Sequence, residues 1–463
     1  MNLEEAVQKK EIKNAGWLVG GKVFQMLLSL LVSVLTARLL KPDNYGLINY
    51  AAAYVAFFTS LCTLGINSVI IKDFVDNPDN QGITIGTTIV LRLISSTLSL
   101  ALIVAIVSIV DKNEPITLIV AALSSFALLF QVFDTINYWF QNQYKSKITS
   151  IVTFLACLIT SAYKIVLILL EKGVIWFAVA SVIDYAAIAI MLLVVYKKYA
   201  GPHLKFSFKK SKELLSKSYH YILSGMMVAI YTQTDKIMLK QMMSEADVGY
   251  YSVATSICNM WPFVLAAIID SVFPTIMVLY GKNKQEFEEK NIHLYSLVFY
   301  ISFFVSICIC IVSPWAIPVF YGDSYLPTVS PLRIITWYTA FAYLGVARNA
   351  WIVCEGVQKY LKYMYVGAAA MNVGLNFLLI PFYGASGAAF ASLITQIFTC
   401  LLLPLLFKGM RRNAFLILKA ISLNTVLWGR QTRLDDKKRS IFVIALIFIA
   451  FFITVMFKIF ETL

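Results

Sequence analysis

Charged residues are scarce in this chain. Asp, Glu, Lys and Arg make up only 14% of its 463 residues, against about 25% in a soluble domain. Histidine is scarcer still. His203, His220 and His293 are scattered and frame no metal site. The seven cysteines (Cys62, Cys157, Cys258, Cys308, Cys310, Cys354 and Cys400) all lie inside apolar blocks without metal-ligand spacing. They read as small packing residues, and no disulfide is expected. No phosphate-cradling glycine loop and no GxGxxG after a strand occurs, and no segment has room for a soluble nucleotide-binding domain. The longest outer joint, about 313–331, carries a single acid, Asp323. These absences exclude an ATP-driven pump and argue against a membrane glycosyltransferase or polymerase. The reading is of a non-enzyme with no cofactor. The opening MNLEEAVQKKEIKN is polar and shows no cleavable signal.

What the chain has instead is apolar sequence, 59% of all residues, in long blocks between short polar joints. A membrane span needs about 20 mainly apolar residues, and block after block reaches that length. A β-barrel would show short alternating segments. Backbone in lipid must bond within its own segment, so the blocks are helices. About twelve spans are expected, at 16–40, 45–71, 82–110, 115–140, 146–170, 173–196, 218–242, 248–280, 290–312, 332–354, 360–380 and 384–407. The fold class is an all-α polytopic membrane protein.

The net charge of +14 does not mark a nucleic-acid binder, because Lys and Arg collect at block ends as the positive-inside rule requires. With the N-terminus in the cytoplasm, the inner joints hold Lys9, Lys10, Lys13, Lys72, Lys145, Lys147, the run from Lys197 to Lys217, Lys282, Lys284, Lys290, Lys359, Lys362, Lys408, Arg411 and Arg412. The outer joints hold only Lys41, Lys112, Lys172 and Lys240, with Arg38 at a span end. The N-terminus is therefore expected inside. Beyond 407, segment 414–429 reads as an interfacial helix and 441–457 as a further span. The basic RQTRLDDKKR between them would otherwise lie outside; a fourteen-helix count is the alternative.

KPDNYGLINYAAA (41–53) and SEADVGYYSVATS (244–256) are weakly alike when Gly46 is set against Gly249. They lie six helices apart and so point the same way, which implies a parallel repeat. The expected organisation is a six-helix lobe at 1–196, a basic cytoplasmic linker at 197–217, a second lobe at 218–407 and an extension at 408–463.

Ionisable residues deep in spans are costly and mark function. Here they are Arg92, Asp134, Lys164, Asp184, Asp235, Lys236, Asp270 and Arg348. Snorkelling or structural ion pairing accounts for Lys22, Asp134 and Arg333. Arg92, Lys164, Asp184 and Arg348 have a turn or more of apolar sequence on both sides and point to a polar cavity. Asp235 and Lys236 are about 100° apart around their helix and face different surroundings. The deep and outer charges lean cationic, which suits an anionic ligand, phosphate above all. The acids are ion sites or counter-ions.

Three motifs carry a family resemblance. TARLLKPDNYGLINYAAAYVAFF (36–58), TDKIMLKQMMSEADVGYYSVA (234–254) and LNFLLIPFYGASGAAFASLITQ (375–396) resemble, in order, the first loop, the seventh-to-eighth helix region and the eleventh-to-twelfth helix hairpin of bacterial polysaccharide flippases. These are the O-antigen and capsule repeat-unit exporters of the multidrug/oligosaccharidyl-lipid/polysaccharide exporter superfamily. The residues themselves are structural: Pro42 with Asn44, Tyr45 and Gly46 makes a tight turn, as do Pro381, Gly384 and Gly387. Ala385, Ala388, Ala389 and Ala391 let helices approach closely.

The resemblance implies two six-helix lobes rocking around a central cavity in a bacterial inner membrane. It implies an undecaprenyl-pyrophosphate-linked oligosaccharide as substrate, and polysaccharide polymerase and assembly proteins as partners beside the membrane lipids. Substrate contacts are expected at Arg38, Arg92, Lys164 and Arg348. Proton or sodium coupling is expected at Asp184, then Asp235, then Asp270. Three alternatives remain: a drug/cation antiporter of the same superfamily, a flippase for another precursor such as that of peptidoglycan, and a non-transporting scaffold.

Overall fold

Lipid offers a backbone no water to bond, so each apolar block closes its hydrogen bonds along itself. The computed structural model describes residues 3–422, with the backbone alone for 3–23 and 68. Every regular element among them is helical. Among the described residues, eight helices are long and apolar enough to cross a membrane. Two of these are pairs joined without a loop. Leu3–Cys62 breaks at Lys41 (φ 61°, ψ 172°), because Pro42 excludes helical geometry from the residue before it. Leu361–Ile397 breaks at Gly384 (φ 51°, ψ −130°), backbone that glycine adopts without strain. Counting those halves separately gives ten of the twelve expected spans. The other two differ from them. Segment 218–242 lies inside Phe208–Met242, which carries Asp235, Lys236 and Lys240. Segment 332–354 is divided into Val329–Ile335, Tyr338–Ala347 and Asn349–Cys354.

Two expected spans are interrupted. The one at 45–71 turns at Leu64 (φ 51°) and Gly65 (φ 57°) and resumes as Asn67–Asp76. The one at 248–280 separates into Glu245–Cys258 and Phe263–Tyr280 at Pro262, which has no N–H to continue a helix.

The chain packs as two compact units, Met1–Gly249 with Phe320–Tyr325, and Tyr250–Val319 with the residues from 326 onward. The division thus comes later than the 197–217 linker expected from sequence. Phe208–Met242 packs along Leu3–Cys62 and Gln81–Val110, and residues 208–217 are already helical. Only 199–207 is a connection.

In the first unit, Leu3–Cys62, Ser146–Leu169 and Val174–Lys198 pack against one another. The two aligned repeat glycines also meet there. A Cβ on Gly46 would lie 1.8 Å from the Glu245 carbonyl oxygen, and one on Gly249 would lie 2.3 Å from that of Pro42. The openings of the two repeat copies therefore cross backbone to backbone, a contact that only glycine permits.

In the second unit the hairpin at Gly384 folds back so tightly that a Cβ on Gly387 would lie 2.4 Å from the Leu379 carbonyl. Ala385, Ala388, Ala389 and Ala391 are buried along it, as their small size suggested. Arg411–Ile421 buries Leu416, Ile417 and Ala420. It docks on Lys284–Tyr321 through Ser296, whose hydroxyl donates to the Ala420 carbonyl at 2.9 Å. The rest of 414–429 and the span expected at 441–457 lie outside the described residues.

Candidate transport site

Three helices of the first unit each present a stripe at helical spacing. Gln25, Ser29 and Val32 come from the first. Cys157, Thr160, Ser161 and Lys164, at i, i+3, i+4 and i+7, come from the second. Ala180, Ser181, Asp184 and Tyr185 come from the third. They line one cavity of about 180 Å³. Small side chains at 161, 180 and 181 leave the space, and the polar ones give it its character. Its volume is below the 300–1,000 Å³ of drug-sized pockets, so it suits a hydrated ion or a phosphate group rather than a bulky solute.

Lys164 and Asp184 thus share one wall. The Thr160 hydroxyl donates to Asp184 Oδ1 at 3.0 Å and holds that carboxylate against Ser146–Leu169. Ser29, Cys157 and Ser161 continue a polar line, with Ser29 Oγ 3.7 Å from Cys157 Sγ. The lysine and the carboxylate feel each other's charge, yet among the described residues no direct ion pair joins them. The cavity therefore carries one cationic and one anionic group, each with bonding capacity left over.

The other candidates lie elsewhere. Arg92 is 2% exposed. It donates to Thr135 Oγ1 at 3.0 Å and to the Gln131 carbonyl at 3.4 Å, while its Nε has no partner among the described residues. Asp134 is its chief electrostatic counterpart. Arg348, in the second unit, is 5% exposed. It donates to the Cys400 carbonyl at 3.2 Å, inside the π-helical turn Phe398–Leu402, and its Nε is also unpartnered among the described residues. Asp235 is buried, whereas Arg38 and Asp270 are exposed. None of these five lines the cavity.

Sequence reasoning set Lys240 aside as an end residue. In the structure it anchors the densest charge cluster among the described residues. Its ammonium donates to Asp111 at 2.7 Å, also bonds Glu114, and lies 3.8 Å from Glu245. The Tyr50 ring sits 5.0 Å away. Gln241 Nε2 and the Tyr50 hydroxyl each donate to Asp111 at 2.8 Å. No local pattern marks this cluster, because its acids lie some 130 residues upstream of Lys240 or beyond the next turn. The polar stripe at 157, 160, 161 and 164 was the readable signal for the cavity.

The comparisons with known proteins agree with this architecture. A family model described as "Polysaccharide biosynthesis protein" matches residues 35–330. No curated protein sequence matches the chain. Among solved structures, the lipid II flippase MurJ in an inward closed conformation superposes with a TM-score of 0.69 at 14% identity, over 94% of this chain and 97% of that one. An inward-facing MATE-family multidrug resistance transporter of the MOP superfamily gives 0.64 at 16% identity, over 86% and 96%. A MOP-superfamily transporter from Pyrococcus furiosus, described by the reverse polarity of its binding pocket, gives 0.60 at 14%, over 87% and 95%. The fold is that of MOP-superfamily transporters.

Proposed function

Because this chain belongs to the polysaccharide biosynthesis protein family, we propose that it is a flippase. Its substrate would be an oligosaccharide repeat unit linked to undecaprenyl pyrophosphate. It would carry that unit from the cytoplasmic to the outer leaflet of a bacterial inner membrane by alternating access, for O-antigen or capsule assembly. The observation that carries this reading is the cavity, where Lys164 and Asp184 face one space sized for a phosphate or a hydrated ion. Lys164 meets the pyrophosphate as a point charge. Asp184, held by Thr160, exchanges a proton or sodium. Arg92 and Arg348 are buried in this conformation, so they join the path only where their helices part. Arg38 on the outer rim, and Asp235 and Asp270, complete the candidate set. Orientation with the N-terminus inside makes the potential, about 2.3 kcal/mol per charge per 100 mV, drive an anionic head outward.

A second reading, a cation antiporter, draws support from Asp184 itself and from the likeness to a multidrug transporter. Proteoliposomes carrying a labelled undecaprenyl-pyrophosphate oligosaccharide separate the two. The flippase reading expects sugar translocation that responds to an imposed proton or sodium gradient. Asp184→Asn should abolish that response while leaving downhill exchange intact. Uptake of a cationic dye with no movement of the lipid-linked sugar overturns the flippase reading in favour of the antiporter. Orientation is tested with Lys212→Cys, which should resist an impermeant thiol reagent in intact cells.

A further inference from the structure

Residues 201–207 form an extended strap that lies against the opening turns of Gln81–Val110. The Lys205 amide donates to the Gly82 carbonyl at 3.2 Å, and the Ser207 amide donates to the Thr87 hydroxyl at 3.0 Å. The contact is backbone on backbone. A Cβ on Gly82 would lie 2.3 Å from the His203 carbonyl oxygen, and one on Gly86 would lie 2.5 Å from that of Lys205. Leu204 and Phe206 in the strap, and Phe208 at the start of the next helix, are 42%, 53% and 80% exposed, and His203 is exposed beside them. Lys197, Lys198, Lys205, Lys209 and Lys212 are exposed around them. The nearby carboxylates Asp73 and Glu213 are already paired with Lys210 and Lys217. Asp76 and Asp79 are exposed in the turn before Gln81, and the five lysines outnumber them.

The depth of the strap follows from the helix it lies on. Gln81–Val110 has 30 residues, about 45 Å at 1.5 Å per residue. That matches the full bilayer, roughly 40–45 Å with headgroups, rather than its hydrocarbon core of about 30 Å. Gly82 and Gly86 therefore sit in the headgroup layer, and the strap with them. Exposed phenylalanines set among lysines at that depth are the chemistry of an interfacial anchor.

We propose that the strap 201–208 is a docking surface for anionic phospholipid. Leu204, Phe206 and Phe208 enter the acyl boundary, and the lysines hold the headgroups. The site is distinct from the Lys164 cavity and independent of which solute is carried.

The test uses the full-length protein in nanodiscs of phosphatidylcholine alone or mixed with phosphatidylglycerol. Wild type should melt several degrees higher in the mixed discs. Phe206→Ser with Phe208→Ser, and separately Lys205→Gln with Lys209→Gln and Lys212→Gln, should lose most of that gain while melting normally in phosphatidylcholine. Phe206→Trp should add a component of tryptophan emission quenched by brominated lipid. An equal phosphatidylglycerol gain in both multiple variants overturns the proposal. So does an added emission component in the Phe206→Trp variant that aqueous iodide quenches and brominated lipid does not. Strap variants that keep the lipid gain yet lose a co-purifying protein overturn it in favour of a protein partner.

Discussion

Two lysines of the first unit show how differently one fold treats the same side chain. Lys240 is 4% exposed at its side chain and faces Asp111, itself 2% exposed, together with Glu114 and Glu245. Lys164 stands in the cavity wall it shares with Asp184, and among the described residues no ion pair joins the two. A buried charge that is paired is expensive to disturb and resists movement. A charge held beside open space keeps its donors for something that arrives. Lys240 therefore ties Phe208–Met242 to the loop after Gln81–Val110, while Lys164 is the lysine placed to meet a ligand.

Exchanging the roles is the sharpest way to break this comparison. Lys240→Ala should cost about 3–5 kcal/mol of stability, because Asp111 is left buried without its cation. Thermal unfolding in detergent reads this directly. Lys240→Met combined with Asp111→Leu should recover much of that loss, since the pair is then replaced by apolar volume. Lys164→Ala should leave the melting temperature nearly unchanged and lower translocation of the lipid-linked sugar roughly 10- to 100-fold, the worth of a charge-assisted hydrogen bond. Loss of stability without loss of transport at 164 would reverse the assignment of the two lysines.

A smaller effect is expected where the cluster meets the repeat contact. Gly46→Ala places a Cβ 1.8 Å from the Glu245 carbonyl oxygen, so the two repeat openings must separate. Overpacking of this kind costs about 1–3 kcal/mol. Because Gly46→Ala displaces Glu245, the two substitutions Gly46→Ala and Lys240→Ala should show a non-zero coupling in a double-mutant cycle. Strict additivity of the two losses would mean that the glycine contact and the ion cluster are independent.

Much of this was legible in sequence, for identifiable reasons. Lipid imposes helices and their lengths, so most spans, the break before Pro42 and the one at Gly384 follow from local rules alone. The same depth rule selected Lys164, Asp184, Arg92 and Arg348, but depth does not say which way a side chain turns. Lys164 and Asp184 face the cavity because Thr160, Ser161 and Ser181 open it beside them. Arg92 and Arg348 turn toward backbone carbonyls instead. Lys240 escaped because its significance comes from Asp111 and Glu114, residues far away in the chain. Lysines at 209, 210, 212 and 217 suggest a charged joint in sequence, yet they start a helix whose Leu214 face is buried.

Lys210 supplies the intermediate case and the smallest effect. It is 12% exposed and bonds Asp73 at 2.6 Å and Glu213 at 3.2 Å. Burial works against its charge, but the hydrogen bonds to Asp73 and Glu213 outweigh it and hold the ammonium above the ordinary lysine range. Glu213 is held below the usual carboxylate range by its hydrogen bonds to Lys217 and Lys210. The signs then separate. A raised lysine stabilises the fold fully below its unfolded value near 10.4, and that contribution is lost as pH rises through the folded value. A lowered glutamate stabilises above its unfolded value near 4.3, and that contribution is lost as pH falls through the folded value. The difference in melting temperature between wild type and Lys210→Met should therefore shrink in the alkaline range, and also in acid, where its carboxylate partners are protonated. That between wild type and Glu213→Gln should shrink in the acidic range. Glu213 is 40% exposed at its side chain, so solvent and salt screen it, and its pairs should be worth no more than about 0.5 kcal/mol. A Glu213→Gln difference that persists unchanged at low pH would show that this side chain supports the start of Phe208–Met242 through packing and not through charge.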